Sequence, residues 1–143
     1  MAIPSKKPTA RAMRKRAALR QRRRKVNKVV KTGRIYIQST FNNVIITVTD
    51  VDGNAVTWAS AGTAGFKSTK KSTPYAATQT AKIVIEKAKE FGMEKAFVFI
   101  SGVGNGREAA VRAFAGSGIQ ITGIKDTTPL PHNGCRPKKP RKM

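Results

Sequence analysis

Carboxylates, cysteine and histidine are nearly missing from this 143-residue chain: 7 Asp+Glu stand against 29 Lys+Arg, with a single Cys and a single His. One cysteine excludes an intramolecular disulfide and makes a reducing, cytoplasmic setting the expectation. His132 and Cys135 together supply at most two of the ligands a zinc site requires, and no second pair exists, so neither metal nor cofactor is expected. A Cys-His nucleophile pair would need an orienting third group on rigid scaffolding, whereas Pro129, Pro131, Pro137 and Pro140 make that stretch an extended, irregular tail. Metal-dependent nuclease chemistry needs clustered carboxylates. Here Asp50 and Asp52 flank a turn, and Glu86, Glu90 and Glu94 lie on or just past an exposed helix face. No apolar run approaches the roughly 20 residues that cross a bilayer, and the N-terminus lacks the apolar segment of a secretory signal, so no membrane partner is expected.

What is present in excess is positive charge, +22 in total, and it is placed unevenly. Residues 1–34 hold 14 Lys/Arg and no acid, residues 35–124 hold 9 basic and 6 acidic side chains, and residues 125–143 hold 6 basic and 1 acidic. The length suits one domain with a real core. The division expected is a basic N-terminal extension over residues 1–33, an α/β domain over 34–125 and an extended basic tail over 126–143. Segments this charged cannot bury enough apolar surface to fold alone, so both extensions are expected to be disordered until a polyanion neutralises them. Nucleic acid is the partner indicated. Solubility tails, a membrane surface or organelle targeting are the competing readings, although residues 11–31 contain none of the serine typical of targeting peptides.

The middle of the chain changes period partway along. "RIYIQS", "NVIITVTD" and "NAVTWASA" alternate β-branched and polar residues, with turn chemistry in "STFNN" and "DVDGN", and predict an antiparallel meander. "STPYAATQTAKIVIEKAKEFG" then switches to helical spacing: Thr73 suits the cap, Pro74 the first turn and Gly92 the stop, with Ala77, Ala81, Val84, Ala88 and Phe91 on one face. "KAFVFIS" reads as a strand buried on both faces, followed by glycines, a short helix "GREAAVRAFAGSG" and a last strand "IQITGI". That is a βαβ unit with parallel strands, and the helices covering the sheet make an α/β sandwich.

Several stretches suggest contact chemistry. "ISGVGNGREAAV" places Gly102, Gly104 and Gly106 between a strand and a helix, but the third small residue of a dinucleotide fingerprint is replaced by Arg107. A helix N-terminus beside Arg107 suits a nucleic-acid phosphate, and the alternative is that Arg107 is solvated or paired with an acid. "SAGTAGFKSTKKSTPYAA" lacks the spacing of a nucleotide-triphosphate loop. Its Lys67, Ser68, Lys70 and Lys71 suit phosphate and 2′-hydroxyl contacts on folded RNA, a solvated connection being the alternative, and Phe66 either packs on the domain or stacks on a base. Asn42 and Asn43 read first as turn formers. In the tail, Arg136, Lys138, Lys139, Arg141 and Lys142 read as a ribbon along a nucleic-acid surface, and Arg22, Arg23 and Arg24 do the same in the N-terminal arm. Asn133-Gly134 is a pair prone to isoaspartate formation, since no side chain shields the glycine nitrogen that attacks the amide.

"FNNVIITVTD", "GNAVTWASAG", "GFKSTKKSTPYAA", "GNGREAAVRAF" and "IKDTTPLPHNGCRPKKPRK" occur in that order, and over residues 33–143 the chain closely resembles the bacterial-type small-ribosomal-subunit protein eleven family. The resemblance implies a five-stranded mixed sheet of ribonuclease-H-like topology and no enzymatic role. It implies binding to small-subunit ribosomal RNA on the platform, near the messenger and its Shine-Dalgarno helix. Small-subunit proteins seven and eighteen would be neighbours, with initiation factor three nearby, on a cytoplasmic ribosome or an organelle one. It carries RNA contact onto Lys67, Ser68, Lys70, Lys71, Arg107, His132, Asn133 and Arg136. Two departures stand out. Val103 replaces a proline usual in the family's G-P-G-x-G-R-E turn, where Asn105 fills the variable position, and the arm up to Lys31 is longer and richer in arginine than usual.

Overall fold

The computed structural model describes residues 29–136, 138 and 139; Arg22, Arg23, Arg24, Arg141 and Lys142 lie outside them. The meander forms as its alternation dictates. Strands β1 (Thr32–Ser39), β2 (Val44–Asp50) and β3 (Ala55–Ser60) pair antiparallel in sequence order. Asn42 and Asn43 serve the first turn: the Thr40 hydroxyl accepts from the backbone N–H groups of both, and the Asn43 carboxamide accepts from Val44 N at 3.0 Å. The second turn closes by Gly53 N donating to Asp50 O, with Gly53 at φ +92°. A side chain would strain that conformation.

Helix α1 (Pro74–Glu90) begins where Thr73 accepts from Ala76 N at 3.2 Å, with Pro74 in the first turn. It stops in a Schellman arrangement. Gly92, at φ +74°, donates to Lys89 O, and Met93 N reaches back to Ala88 O at 3.2 Å. Met93 and Ala88 are both buried, which supplies the apolar contact that accompanies this motif. Of the expected buried face, Ala77, Ala81, Val84 and Ala88 are buried, while Phe91 is half-buried and its carbonyl accepts from Val30 N at 2.9 Å. Strand β4 (Lys95–Ser101), helix α2 (Gly106–Ala115) and strand β5 (Gln120–Asp126) complete the elements among the described residues.

The sheet order is β3-β2-β1-β4-β5, with β4 parallel to both β1 and β5. A mixed five-stranded sheet with two packed helices results. Ile35, Ile37, Val44, Ile46, Val48 and Val98 point to one side and form a single core with the alanine stripe of α1 and with Phe114 of α2. Full burial of each of these branched side chains contributes about 1.5–3 kcal/mol relative to exposure. Val30, only 3% exposed, belongs to the same core, and Lys31 O accepts from Glu94 N and Lys95 N.

One expectation is corrected. "KAFVFIS" is not buried on both faces: Ala96 and Val98 are buried, whereas Phe97 and Phe99 are half-buried. Both helices pack on the same side of the sheet, so the phenylalanines face the side that no helix among the described residues covers. The Phe-Val-Phe run hides the alternation because aromatic residues stand where a solvated face usually puts polar ones.

Candidate nucleic-acid interface

Strand direction decides which loops share an end of the sheet. The C-terminal ends of β1, β3, β4 and β5 and the N-terminal end of β2 lie together. The lysine-containing loop after β3, the glycine loop after β4 and the tail after β5 therefore all leave from that end. Residues 29–31 enter at the opposite end, beside Phe91 and Glu94. An eight-residue strand at about 3.3 Å per residue separates the two ends by roughly 25 Å.

In the first loop, the segment from Gly62 to Phe66 folds back on β3 through Phe66 N donating to Ala61 O and Gly65 N donating to Gly62 O. Lys67 then leads into a 3₁₀ turn, Ser68–Ser72, which runs directly into α1. Ser68 sits at φ +51°. Lys67, Ser68 and Lys70 are exposed and Lys71 is half-buried, and none of the three lysines has a carboxylate partner among the described residues. The first turn of α1 contains no acid either. Uncompensated ammonium groups at a helix N-terminus make a positive surface, where the helix dipole adds to the side-chain charge. Phe66 packs edge-on against Tyr75, with ring centroids 5.9 Å apart, so it packs on the domain; Tyr75 itself is 66% exposed. Tyr75 was not singled out from the sequence, although it follows directly on the lysine, serine and threonine run.

The glycine loop owes its composition to packing. Gly102, at φ +98°, lies so close to Ser39 that a Cβ would overlap the Ser39 carbonyl. At Gly104 a Cβ would run into the Ser39 hydroxyl and the Thr40 carbonyl, and at Gly106 it would sit 2.7 Å from Val44 Cγ2 and 2.9 Å from Ala77 Cβ. The third contact brings the N-terminus of α2 against the first turn of α1. Val103 is 58% exposed, so the residue in the usual proline position makes no packing demand.

Arg107 is paired, as one of the two sequence alternatives had it. Its guanidinium donates to one carboxylate oxygen of Asp126, at the end of β5. The other oxygen accepts from Thr128 N at 2.9 Å and from the Thr128 hydroxyl at 2.6 Å. Thr128 Oγ1 in turn accepts from Gly102 N at 3.2 Å, and Thr127 donates to Ile100 O through both its N–H and its hydroxyl. Glycine loop, α2 N-terminus and tail are thus joined through one carboxylate, and Arg107 keeps a side-chain exposure of 30%. Thr127 and Thr128 were not singled out from the sequence, nor Asp126 as the partner of Arg107; an acid followed two residues later by threonine is the Asx-turn signal that could have found them.

The Thr128 hydroxyl and backbone N–H, with Arg107 beside them, hold the Asp126 carboxyl below its ordinary range. A depressed folded-state value means that the carboxylate contributes stability above its unfolded pKa and loses it as pH falls through the folded value. Asp126→Asn should therefore lower the melting temperature near neutral pH, and the gap to the parent should close on acidification below the carboxylate range. A gap that stayed constant with pH would show that the charge is not what matters.

The described residues beyond Thr128 are exposed. His132, Asn133, Arg136, Lys138 and Lys139 all face solvent, Asn133 at φ +58°, and Cys135 is a free, exposed thiol. No group of three or more His, Cys, Asp or Glu that could hold a metal occurs among the described residues, and no helix among them is long and apolar enough to cross a membrane.

Comparison with known proteins agrees on one family. The model of the family described as "Ribosomal protein S11" matches residues 33–142. The chain is 51% identical over 121 residues to the "Small ribosomal subunit protein uS11" of Borreliella burgdorferi (strain ZS7), covering 85% of this chain and 93% of that one. Identity and coverage are the same for the proteins of that name from Borreliella afzelii (strain PKo) and Borrelia garinii subsp. bavariensis.

Proposed function

The chain belongs to the ribosomal protein S11 family, and on that premise we propose that it is a structural, non-catalytic constituent of the small ribosomal subunit that binds ribosomal RNA and supports assembly and translation. The observation that carries the reading is the departure of the lysine loop, the glycine loop and the basic tail from one end of the sheet, with residues 29–31 entering at the other. An RNA helix at the first end meets Lys67, Ser68, Lys70 and Lys71, the exposed part of Arg107, and then His132, Asn133, Arg136, Lys138, Lys139, Arg141 and Lys142 along the tail. A second RNA helix meets the arm with Arg22, Arg23 and Arg24. The domain in this way bridges two RNA elements through charges that phosphates neutralise, while the sheet fixes their separation.

The finer points of the reading are these. The strand order 3-2-1-4-5 supports a ribonuclease-H-like topology, used here as a scaffold. The arm before Val29 and the tail beyond Thr128 order on RNA, a coupling that their charge favours; residues 29–33 and 126–128 belong to the domain. Within the subunit the protein lies on the platform near the messenger exit and the Shine-Dalgarno region, with small-subunit proteins seven and eighteen as neighbours and initiation factor three nearby, on a cytoplasmic ribosome.

Replacing Lys67, Lys70 and Lys71 together by Ala tests the loop. Affinity for small-subunit ribosomal RNA in a filter-binding titration should fall about tenfold or more, and the slope of log affinity against log salt should flatten by roughly 2 to 3, since each phosphate contact contributes about 0.7–0.9. Unchanged affinity and slope would remove these lysines from the interface.

A further inference from the structure

The face of the sheet turned away from the helices has a use that the contacts above leave open. One row of cross-strand partners spans all five strands: Trp58, Thr47, Tyr36, Phe99 and Lys125. Tyr36 and Phe99 are stacked, with centroids 4.9 Å apart and planes 11° from parallel. That separation matches the strand spacing of about 4.8 Å, so the two rings stack as neighbours in adjacent strands. On the other side of Tyr36 its cross-strand neighbour is Thr47, and beyond it Trp58.

Trp58 meets no other aromatic ring among the described residues and is 56% exposed. It stands two strand spacings from Tyr36, about 9.5 Å, with the short Thr47 side chain as the floor between them. A flat ring touching both walls needs two contact distances of about 3.5–4.0 Å, or roughly 7–8 Å in all. A strand-to-strand spacing of about 9.5 Å leaves room for one inserted base and not for two.

The charge on this face selects the partner. Ionisable residues at its cross-strand positions are Arg34, Lys95 and Lys125, all basic, and no carboxylate occupies such a position among the described residues. Aromatic walls interleaved with cations, and a row broken by a threonine, fit unpaired nucleic acid better than an apolar protein surface, because bases stack while phosphates pair with the cations.

We propose that the open face of the sheet binds an unpaired RNA segment, one base inserting between Trp58 and Tyr36 over Thr47 with flanking phosphates held by Arg34 and Lys125. The inference rests on the RNA-binding reading above and adds to it a second RNA class, single-stranded, on a surface separate from the loops and tails.

Trp58 is the chain's only tryptophan, so its fluorescence reports on the gap directly. The full chain is titrated with a 12-nucleotide oligouridylate and, separately, with an RNA duplex of equal length, at a salt concentration high enough to suppress binding by the tails. The oligonucleotide should quench Trp58 saturably and the duplex should not. Thr47→Tyr fills the gap without removing either wall and should weaken binding of the single strand about tenfold or more, as should Tyr36→Ala, while Tyr36→Phe retains it. Melting temperatures of the variants verify that the fold survives.

Binding of folded small-subunit RNA at low salt, measured on the same proteins, separates the two claims. If that binding is intact while Trp58 ignores the single strand, the gap proposal fails alone; if both are lost in the unmodified protein, the RNA-binding reading fails with it. Shielding of Trp58 from acrylamide only on addition of small-subunit proteins, with no response to RNA, would assign the face to a protein and overturn the proposal.

Discussion

Removing residues 1–28 and 137–143 should flatten the dependence of RNA affinity on salt by about 3.5 or more in the slope of log affinity against log salt concentration. The deleted segments hold 16 of the 29 basic residues, 12 in the arm and 4 in the tail. If only a third of them meet phosphates, about five contacts are lost at 0.7–0.9 each, and binding by the shortened protein varies far less between 50 and 200 mM salt. The cut at residue 28 matters. Val30 is buried and Lys31 accepts two backbone hydrogen bonds, so a deletion reaching Lys31 would mix loss of charge with damage to the core. Melting of the shortened protein, expected to stay close to that of the full chain, separates the two effects. A slope that did not change would contradict the role given to the extensions.

Gly102→Ala should be among the most damaging single substitutions in the domain. Two costs combine there. The backbone at φ +98° is one a Cβ disfavours by about 1–3 kcal/mol, and the added carbon overlaps the Ser39 carbonyl, which belongs to β1 and cannot swing away as a side chain would. Together they should cost about 3 kcal/mol or more, which for a domain near 100 residues lowers the melting temperature by roughly 12–20 °C. Gly118 is the control, since it has a similar backbone, at φ +85°, with nothing within 4 Å of the added carbon. Gly118→Ala should lose only the conformational part, about 1–2 kcal/mol. Equal losses at the two positions would show that the close approach to Ser39 is not what the glycine serves.

The same glycines show where sequence reasoning stops. Three glycines between a strand and a helix invite a ligand-binding reading, because a backbone without side chains can lie against phosphates. In the structure the space they leave is filled by Ser39, Thr40, Val44 and Ala77, all of which are distant in sequence from the glycines. No local pattern reveals that the loop packs on the β1–β2 turn. Arg107 is similar: its pairing with Asp126 joins residues 19 apart and depends on α2 and β5 ending up side by side.

Local signals fared better. The cap at Thr73, the stop at Gly92 and the turns at Asn42-Asn43 and Asp52-Gly53 are each decided by a few neighbouring residues, and each stands where the sequence placed it. The open face was lost for a different reason. Tyr36, Trp58, Phe97 and Phe99 are apolar enough to pass for core, so the alternation along β4 read as a continuous buried run. Only the position of both helices on one side shows which half of the pattern is covered.

The central claim, that this chain acts as a protein of the small ribosomal subunit, is tested most directly by sedimentation of a cell extract through a sucrose gradient at low salt. The protein should travel with the small-subunit peak, persist there through a low-salt wash, and leave it as salt is raised. Protein found only at the top of the gradient, free of small subunits, would contradict the account.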